Sequence, residues 1–325
     1  MNTDHMKFAS TRSHTQILAV CCVLAYVLNS GSLIAQSLDE KFSDFYRVVK
    51  LITRSEKTDA EKSEESEKTY EKLFLDEITA DSLKKYSSAE LEILFRANDE
   101  TAFISGANKN VQHMEFIVRE LEARGLETKS QNEYLYSTYV KTRQFEKAKV
   151  LYRKKHTHLQ LDLPEFRATK DAVDGQPSEW VISQTEAVTE RRKVNLNERW
   201  YMVVISHPSC HFSRNAALAI LADPALKFRL KGHSKWITPQ DANFDFGLFQ
   251  RWNRQFPDAA VSVVHQSKEW PLDRFKETPT FYFLSRGKIV STFSGWPKEG
   301  NKEKIIAALN LVESHESAMQ PDLTR

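Results

Sequence analysis

The chain has 325 residues, 41% hydrophobic and 28% charged, enough length for two domains and enough apolar material for a packed core. Its 46 Lys+Arg and 44 Asp+Glu nearly cancel, leaving a formal charge of +2. That balance excludes a global field that would recruit nucleic acid or acidic lipid, and no basic stripe with interleaved aromatics is present, so no nucleic-acid partner is expected.

Lys7 and Arg12 precede the apolar run ILAVCCVLAYVL (17–28), and NSGSLIAQS follows before charged sequence begins. This is the layout of a secretory signal peptide over residues 1–36. The run is short for a membrane span of about 20 residues. An uncleaved anchor, extended through Leu33-Ile34-Ala35, is the alternative, and membrane contact is expected only in that case. Cys21 and Cys22 do not suggest lipidation, because Val20 and Cys21 precede them rather than small residues. Removal of the signal leaves Cys210 as the one remaining thiol of three, either a reactive group or a small buried apolar side chain.

Residues 38–160 read as all-helical. FSDFYRVVKLI places Phe42, Phe45, Tyr46, Val49 and Ile52 on one helical face. The charged stretch 53–72 reads as a solvated helix or a loose linker. Four amphipathic stretches follow, and Leu135, Tyr139, Phe145, Ala148 and Tyr152 lie at a spacing that resembles the tetratricopeptide repeat, whose helices interlock through such positions. Tyr136 and Lys155 depart from that pattern, where the family prefers Gly and Ala. A short helical solenoid or a generic bundle both fit, and the former would offer a concave face to extended peptides.

Residues 161–178, with turn formers in VDGQPSE, read as a linker. EWVISQTEAV and RRKVNL suggest a β-hairpin opening the second domain at 179–317. RWYMVVIS (199–206) is a continuous apolar strand suited to burial on both faces. A helix follows Cys210. SKWITPQ reads as a short strand, FGLFQRWNRQF as an amphipathic helix, AAVSVVH as another buried strand, and TPTFYFLSRGKIVSTFSGW as a hairpin turning at Arg286-Gly287. NKEKIIAALNLVESH closes the domain as a helix, with 318–325 a flexible tail. The aromatic segment FDFGLFQRW (244–252) is either core or an exposed surface for a client chain.

This order of elements, with Cys210 at the first strand-to-helix junction and Thr278-Pro279-Thr280 opening the hairpin, resembles the thioredoxin superfamily over roughly residues 180–315. The resemblance implies an α/β thioredoxin-like sandwich behind the all-α, repeat-like N-terminal domain. It also implies a cysteine heading a helix, a cis Pro279 opposite, and backbone around Thr278 that pairs with a substrate chain. It carries Cys210, Ser213 and Pro279 over as catalytic positions and Thr278, His211 and Phe212 as substrate-binding ones. Two departures go together. Ser213 replaces the resolving cysteine, and Val204 stands in the strand where the family keeps a buried carboxylate.

A helix N-terminus favours a thiolate, a Ser213 hydroxyl can donate to the sulfur, and protonated His207 or His211 would favour the anion further. The leading expectation is monothiol thiol–disulfide exchange or isomerisation on exported, periplasmic or secreted polypeptides. Release would need an external thiol or redox partner, or the substrate's own second cysteine, and no cofactor is called for. The alternatives are a non-catalytic binding, chaperone or adaptor module, and a Cu(I) or other metal site at His207, Cys210 and His211.

Overall fold

The computed structural model describes residues 36–155, 163–197, 199–240, 242, 244–275 and 277–319. The apolar run 17–28 and the chain's end after 319 lie outside the described residues.

The N-terminal half consists of helices α1 (Leu38–Arg54), α2 (Asp59–Phe74), α3 (Ala80–Leu83), α4 (Ser88–Ser105), α5 (Asn108–Ala123), α6 (Lys129–Lys141) and α7 (Phe145–Lys155). Their starts are written locally. Ser37, Thr58, Ser87 and Thr128 each accept from the N–H three residues on, and Glu40, Glu61, Glu90 and Gln131 return a bond to the cap N–H. These reciprocal bonds satisfy two of the donors a helix start leaves open. Along α1 the buried face is Phe45, Val49 and Ile52, while Tyr46 is exposed. The charged stretch 53–72 is not a loose linker. Most of it is α2, and Ser66, Tyr70 and Phe74 at i, i+4, i+8 turn inward, where the Phe74 ring meets Phe45 edge-on at 5.6 Å. In the α6–α7 pair, Leu135, Tyr139, Phe145 and Ala148 are buried and Tyr152 is partly buried, a pattern that any packed helix pair would give.

The second half is built on one mixed eight-stranded sheet in the order β1-β3-β2-β6-β5-β4-β7-β8. Its strands are β1 (Glu165–Ala168), β2 (Ser178–Ile182), β3 (Val188–Lys193), β4 (Trp200–Ile205), β5 (Ser234–Thr238), β6 (Val261–Val264), β7 (Thr280–Ser285) and β8 (Lys288–Ser294). β4, β5 and β6 run parallel, and β7 pairs antiparallel with β4 and β8. Helices α8 (His211–Ala222), α9 (Pro224–Leu230), α10 (Phe246–Gln255) and α11 (Lys302–Met319) complete the fold. β1 lies inside 161–178, the stretch expected as linker. It pairs parallel with β3, so the sheet begins earlier than the turn formers suggested.

Strand alternation divides the core. Met202, Val204, Trp236, Val263, Phe281 and Phe283 cluster with α8, α10 and α11. Val203, Ile205, Ile237, Tyr282 and Leu284 face the other way, beneath Val194, Leu196, Trp270 and Phe275 of connecting segments. The aromatic segment 244–252 belongs to the core, with Phe244, Phe249 and Trp252 buried. Among the described residues one cluster of buried apolar side chains runs through both halves. The joint is aromatic. The Phe145 ring stacks on Phe166 at 3.6 Å and meets Trp180 and Phe244 edge-on at 5.4 and 5.9 Å. Burying such rings contributes roughly 2–3 kcal/mol each. Among the described residues, no helix is long and apolar enough to cross a membrane.

Candidate functional site

β4 ends at Ile205, in the middle of the sheet, and the chain turns through Ser206–Ser209 into α8. Cys210 is the N-cap of α8, with extended backbone (φ −83°, ψ 114°) and no side-chain cap bond of its own. Its N–H donates to the His207 carbonyl at 2.9 Å, closing the turn, and its carbonyl accepts from Arg214 N at 3.1 Å as the first helical bond. The sulfur is thereby presented beside the N–H groups that a helix start leaves without backbone acceptors.

Across from it, Thr278 and Pro279 precede β7, joined by a cis peptide bond. The Pro279 carbonyl is held by Gly295 N at 2.7 Å. The Cys210 thiol donates to the Thr278 carbonyl oxygen at 3.4 Å, within the longer range of sulfur. The antiparallel β4–β7 register, with Ile205 opposite Thr280, is what brings positions 68 residues apart to one edge. No partner for the Thr278 N–H is present among the described residues.

Ser213, fully buried, lies one turn into α8. Its Oγ accepts from His207 N at 3.3 Å, leaving its proton for the sulfur. Burial of the half-buried Cys210 pushes its thiol up. Hydrogen bonding by the Thr278 side chain, by the Ser213 N–H and hydroxyl, and by the Phe212 N–H outweighs that, and the thiol titrates below the ordinary cysteine value. Thr278 thus pulls both ways, since its carbonyl stabilises the protonated thiol and its side chain stabilises the anion. The donors to the anion outnumber that single acceptor, so the net direction is toward the thiolate.

His211 and Phe212 are exposed at the helix tip, Phe212 by 45%, with their rings 3.8 Å apart. His207 does not converge with them. Its Nδ1 accepts from the Ser209 N–H at 3.2 Å and lies 2.5 Å from the Ser209 hydroxyl, and its ring lies edge-on to Phe249. The structure therefore brings Cys210, Ser213, Thr278 and Pro279 together, with His211 and Phe212 on the rim. It does not gather His207, Cys210 and His211 into a group able to hold a metal.

Among the described residues, Asp174, His265 and Glu269 alone come close enough to suggest one, with ligand atoms within 4.8 Å of one another. The Arg191 guanidinium already occupies that cluster, 2.8 Å from Asp174 and 3.7 Å from Glu269. Burial, and then the charges of Arg191 and Arg143, hold His265 down to about 3, so it stays neutral. The group is an internal ion-pair network tying β3 to the 265–269 turn, and a cation there would displace an arginine. No spacing signal could have found it, because its members span 174–269.

Cavities of about 460 Å³ among α5, α6 and α7, and of about 400 Å³ lined by β2, β5, β6 and Pro257, do not include Cys210 in their linings. No protein-family model matches the chain, and no curated protein matches it.

Proposed function

We propose that the C-terminal half is thioredoxin-like and that Cys210 is the nucleophile of monothiol thiol–disulfide exchange on exported polypeptides. One observation carries the reading. A half-buried, acid-shifted sulfur at the head of α8 faces Thr278–Pro279, with a buried hydroxyl where a second thiol would stand. The Thr278 N–H, without a partner among the described residues, and its carbonyl supply the two backbone groups that an extended substrate strand would pair with.

The Cys210 thiolate attacks one sulfur of a substrate disulfide. That S–S bond breaks as the Cys210–substrate bond forms, and the departing substrate sulfur leaves as a thiolate that takes a proton from water. Ser213 cannot attack in turn, because a hydroxyl at neutral pH is no substitute for a thiolate. Release therefore comes from a second substrate thiolate, which leaves the disulfide count unchanged and isomerises the client, or from two external thiols, of which the first expels the client thiolate by bonding to the Cys210 sulfur and the second expels the Cys210 thiolate, the pair leaving joined as a disulfide. The composition of residues 1–36 supports delivery to an oxidising compartment, where such disulfides exist.

The test is capture. Wild type and Cys210→Ala are exposed to an extract, thiols are quenched by acid and alkylation, and adducts are separated without reductant. Reductant-sensitive adducts with wild type and none with Cys210→Ala are expected. No adducts, or equal adducts with both, would overturn the reading. Equal non-covalent recovery of the same polypeptides by both proteins would favour a binding module instead.

A further inference from the structure

The segment between β6 and β7 ends in Thr278-Pro279 and, among the described residues, contains no strand, yet it is tied down at several points. Within the C-terminal half, the Tyr282 hydroxyl donates to Asp273 at 2.6 Å and accepts from Arg274 N at 3.1 Å, Phe275 is buried, and Thr280 donates to the Glu277 carbonyl at 2.8 Å. Gly175, Ser178 and Arg191 hold Glu269, and Trp180 holds His265. Further ties reach into the helical half. Arg143 donates to the Val264 and His265 carbonyls at 2.6 and 2.9 Å. Gln240 bridges the Lys141 carbonyl and the Ser267 N–H at 2.7 and 3.1 Å.

Nearest to Thr278 is Asp59, the first residue of α2. Its carboxylate accepts from Phe275 N at 2.8 Å, and its own N–H donates to the Asp273 carbonyl at 3.1 Å. Both bonds have local logic. A first-turn N–H has no acceptor within its helix, and a carboxylate there complements the helix dipole. What is unusual is their destination, across 216 residues to the segment that carries the edge facing the sulfur.

We infer that Asp59 is a positioning residue: by fixing Asp273 and Phe275 from the helical half, it sets Thr278 against the Cys210 sulfur. The helical half is then part of the thiol site's scaffold, independently of any partner it recruits. The inference rests on the reading of Cys210 as a nucleophile. Charged or titratable residues on the segments around Cys210 are His207, His211 and Arg214 on its own, Asp273, Arg274, Lys276 and Glu277 on the facing one, Asp245 at the N-cap of α10 and Arg251 within that helix. A change at Asp59 substitutes none of these, and removal of its negative charge would by itself lower the thiol's midpoint, so an upward shift reports the position of Thr278.

The experiment compares the pH midpoint of Cys210 alkylation by iodoacetamide in full-length wild type, Asp59→Ala and Asp59→Asn, with thermal melts alongside. Asp59→Ala should move the midpoint upward by roughly 0.5–1 unit, a roughly threefold to tenfold smaller thiolate fraction on the acid side. Asp59→Asn, which keeps an acceptor oxygen for Phe275 N, should restore the wild-type midpoint. Should Asp59→Ala not fold, Asp59→Glu, which keeps the charge but displaces the carboxylate by one methylene, should show the same upward shift. An Asp59→Ala or Asp59→Glu midpoint equal to wild type, or an Asn variant shifted as far as Ala, would overturn the inference while leaving the nucleophile intact. A wild-type thiol titrating at the ordinary value would instead sink the proposed function itself.

Discussion

Replacing Ser213 by Ala isolates one donor to the sulfur without touching the sulfur. In the wild type, burial of Cys210 raises its thiol, and Thr278, the Ser213 N–H, the Ser213 hydroxyl and the Phe212 N–H lower it. Ala keeps both backbone donors and removes the hydroxyl. A hydrogen bond to a charged group contributes about 1.5–3 kcal/mol when shielded. Cys210 is half-buried, so water refills part of the gap and about 1 kcal/mol is the appropriate figure. At 1.36 kcal/mol per unit, the midpoint should rise by about 0.7 unit. The sign for stability follows from linkage. A thiol with a lowered folded-state midpoint stabilises the fold above the unfolded midpoint of about 8.5, and this gain is lost as pH falls through the folded midpoint. In Ser213→Ala that pH-dependent gain should shrink. A separate, pH-independent loss of about 1 kcal/mol should appear because His207 N loses its acceptor. Iodoacetamide rates against pH read the midpoint, and urea melts at matched pH read the stability. A variant titrating where the wild type does would refute the assignment of the Ser213 proton to the sulfur.

Ser213→Cys places two thiols three residues apart on the first turn of α8, so a trapped adduct can be expelled internally. Adduct yield in the capture experiment should fall by about an order of magnitude, and undiminished adducts with both cysteines reduced would count against the site geometry. His265, held at about 3 by burial and by Arg191 and Arg143, lets the unfolded chain take up a proton that the native state refuses. Stability should therefore decline as pH falls from about 6.5 toward 3, by up to about 1.4 kcal/mol per pH unit. His265→Gln should flatten that decline in urea midpoints measured across the interval, and an unchanged slope would show that other groups carry it.

The buried strands were legible because continuous apolar runs such as Trp200–Ile205 have few other fates, and the β7–β8 turn because Arg286-Gly287 is a turn signal. There Arg286 takes φ of 49° and Gly287 φ of 78°, a left-handed backbone that glycine tolerates freely and arginine enters only at a cost. The strand and helix flanking Cys210 were legible for the same reason, whereas Thr278-Pro279 opposite came only from the resemblance, since no local pattern pairs positions 68 residues apart. β1 was not, because its four residues alternate weakly and stay largely exposed, leaving no apolar period to read. Nor was the inward face of α2, whose Ser66, Tyr70 and Phe74 are sparse among charges. The bonds from Asp59 and Arg143, and the Arg191 network, join positions far apart in the chain. Local propensity carries no trace of such pairings, which only the completed topology creates.

The ring of Phe145, pressed between Phe166, Trp180 and Phe244, also limits choreography. Among the described residues the two halves share a continuous interior, so the helical half is not a separate arm free to swing toward residue 210. On the proposed reading, a polypeptide that reacts there supplies the reach itself, by offering its disulfide on a stretch loose enough to lie along Thr278. Half-folded chains meet that requirement and finished, rigid ones do not.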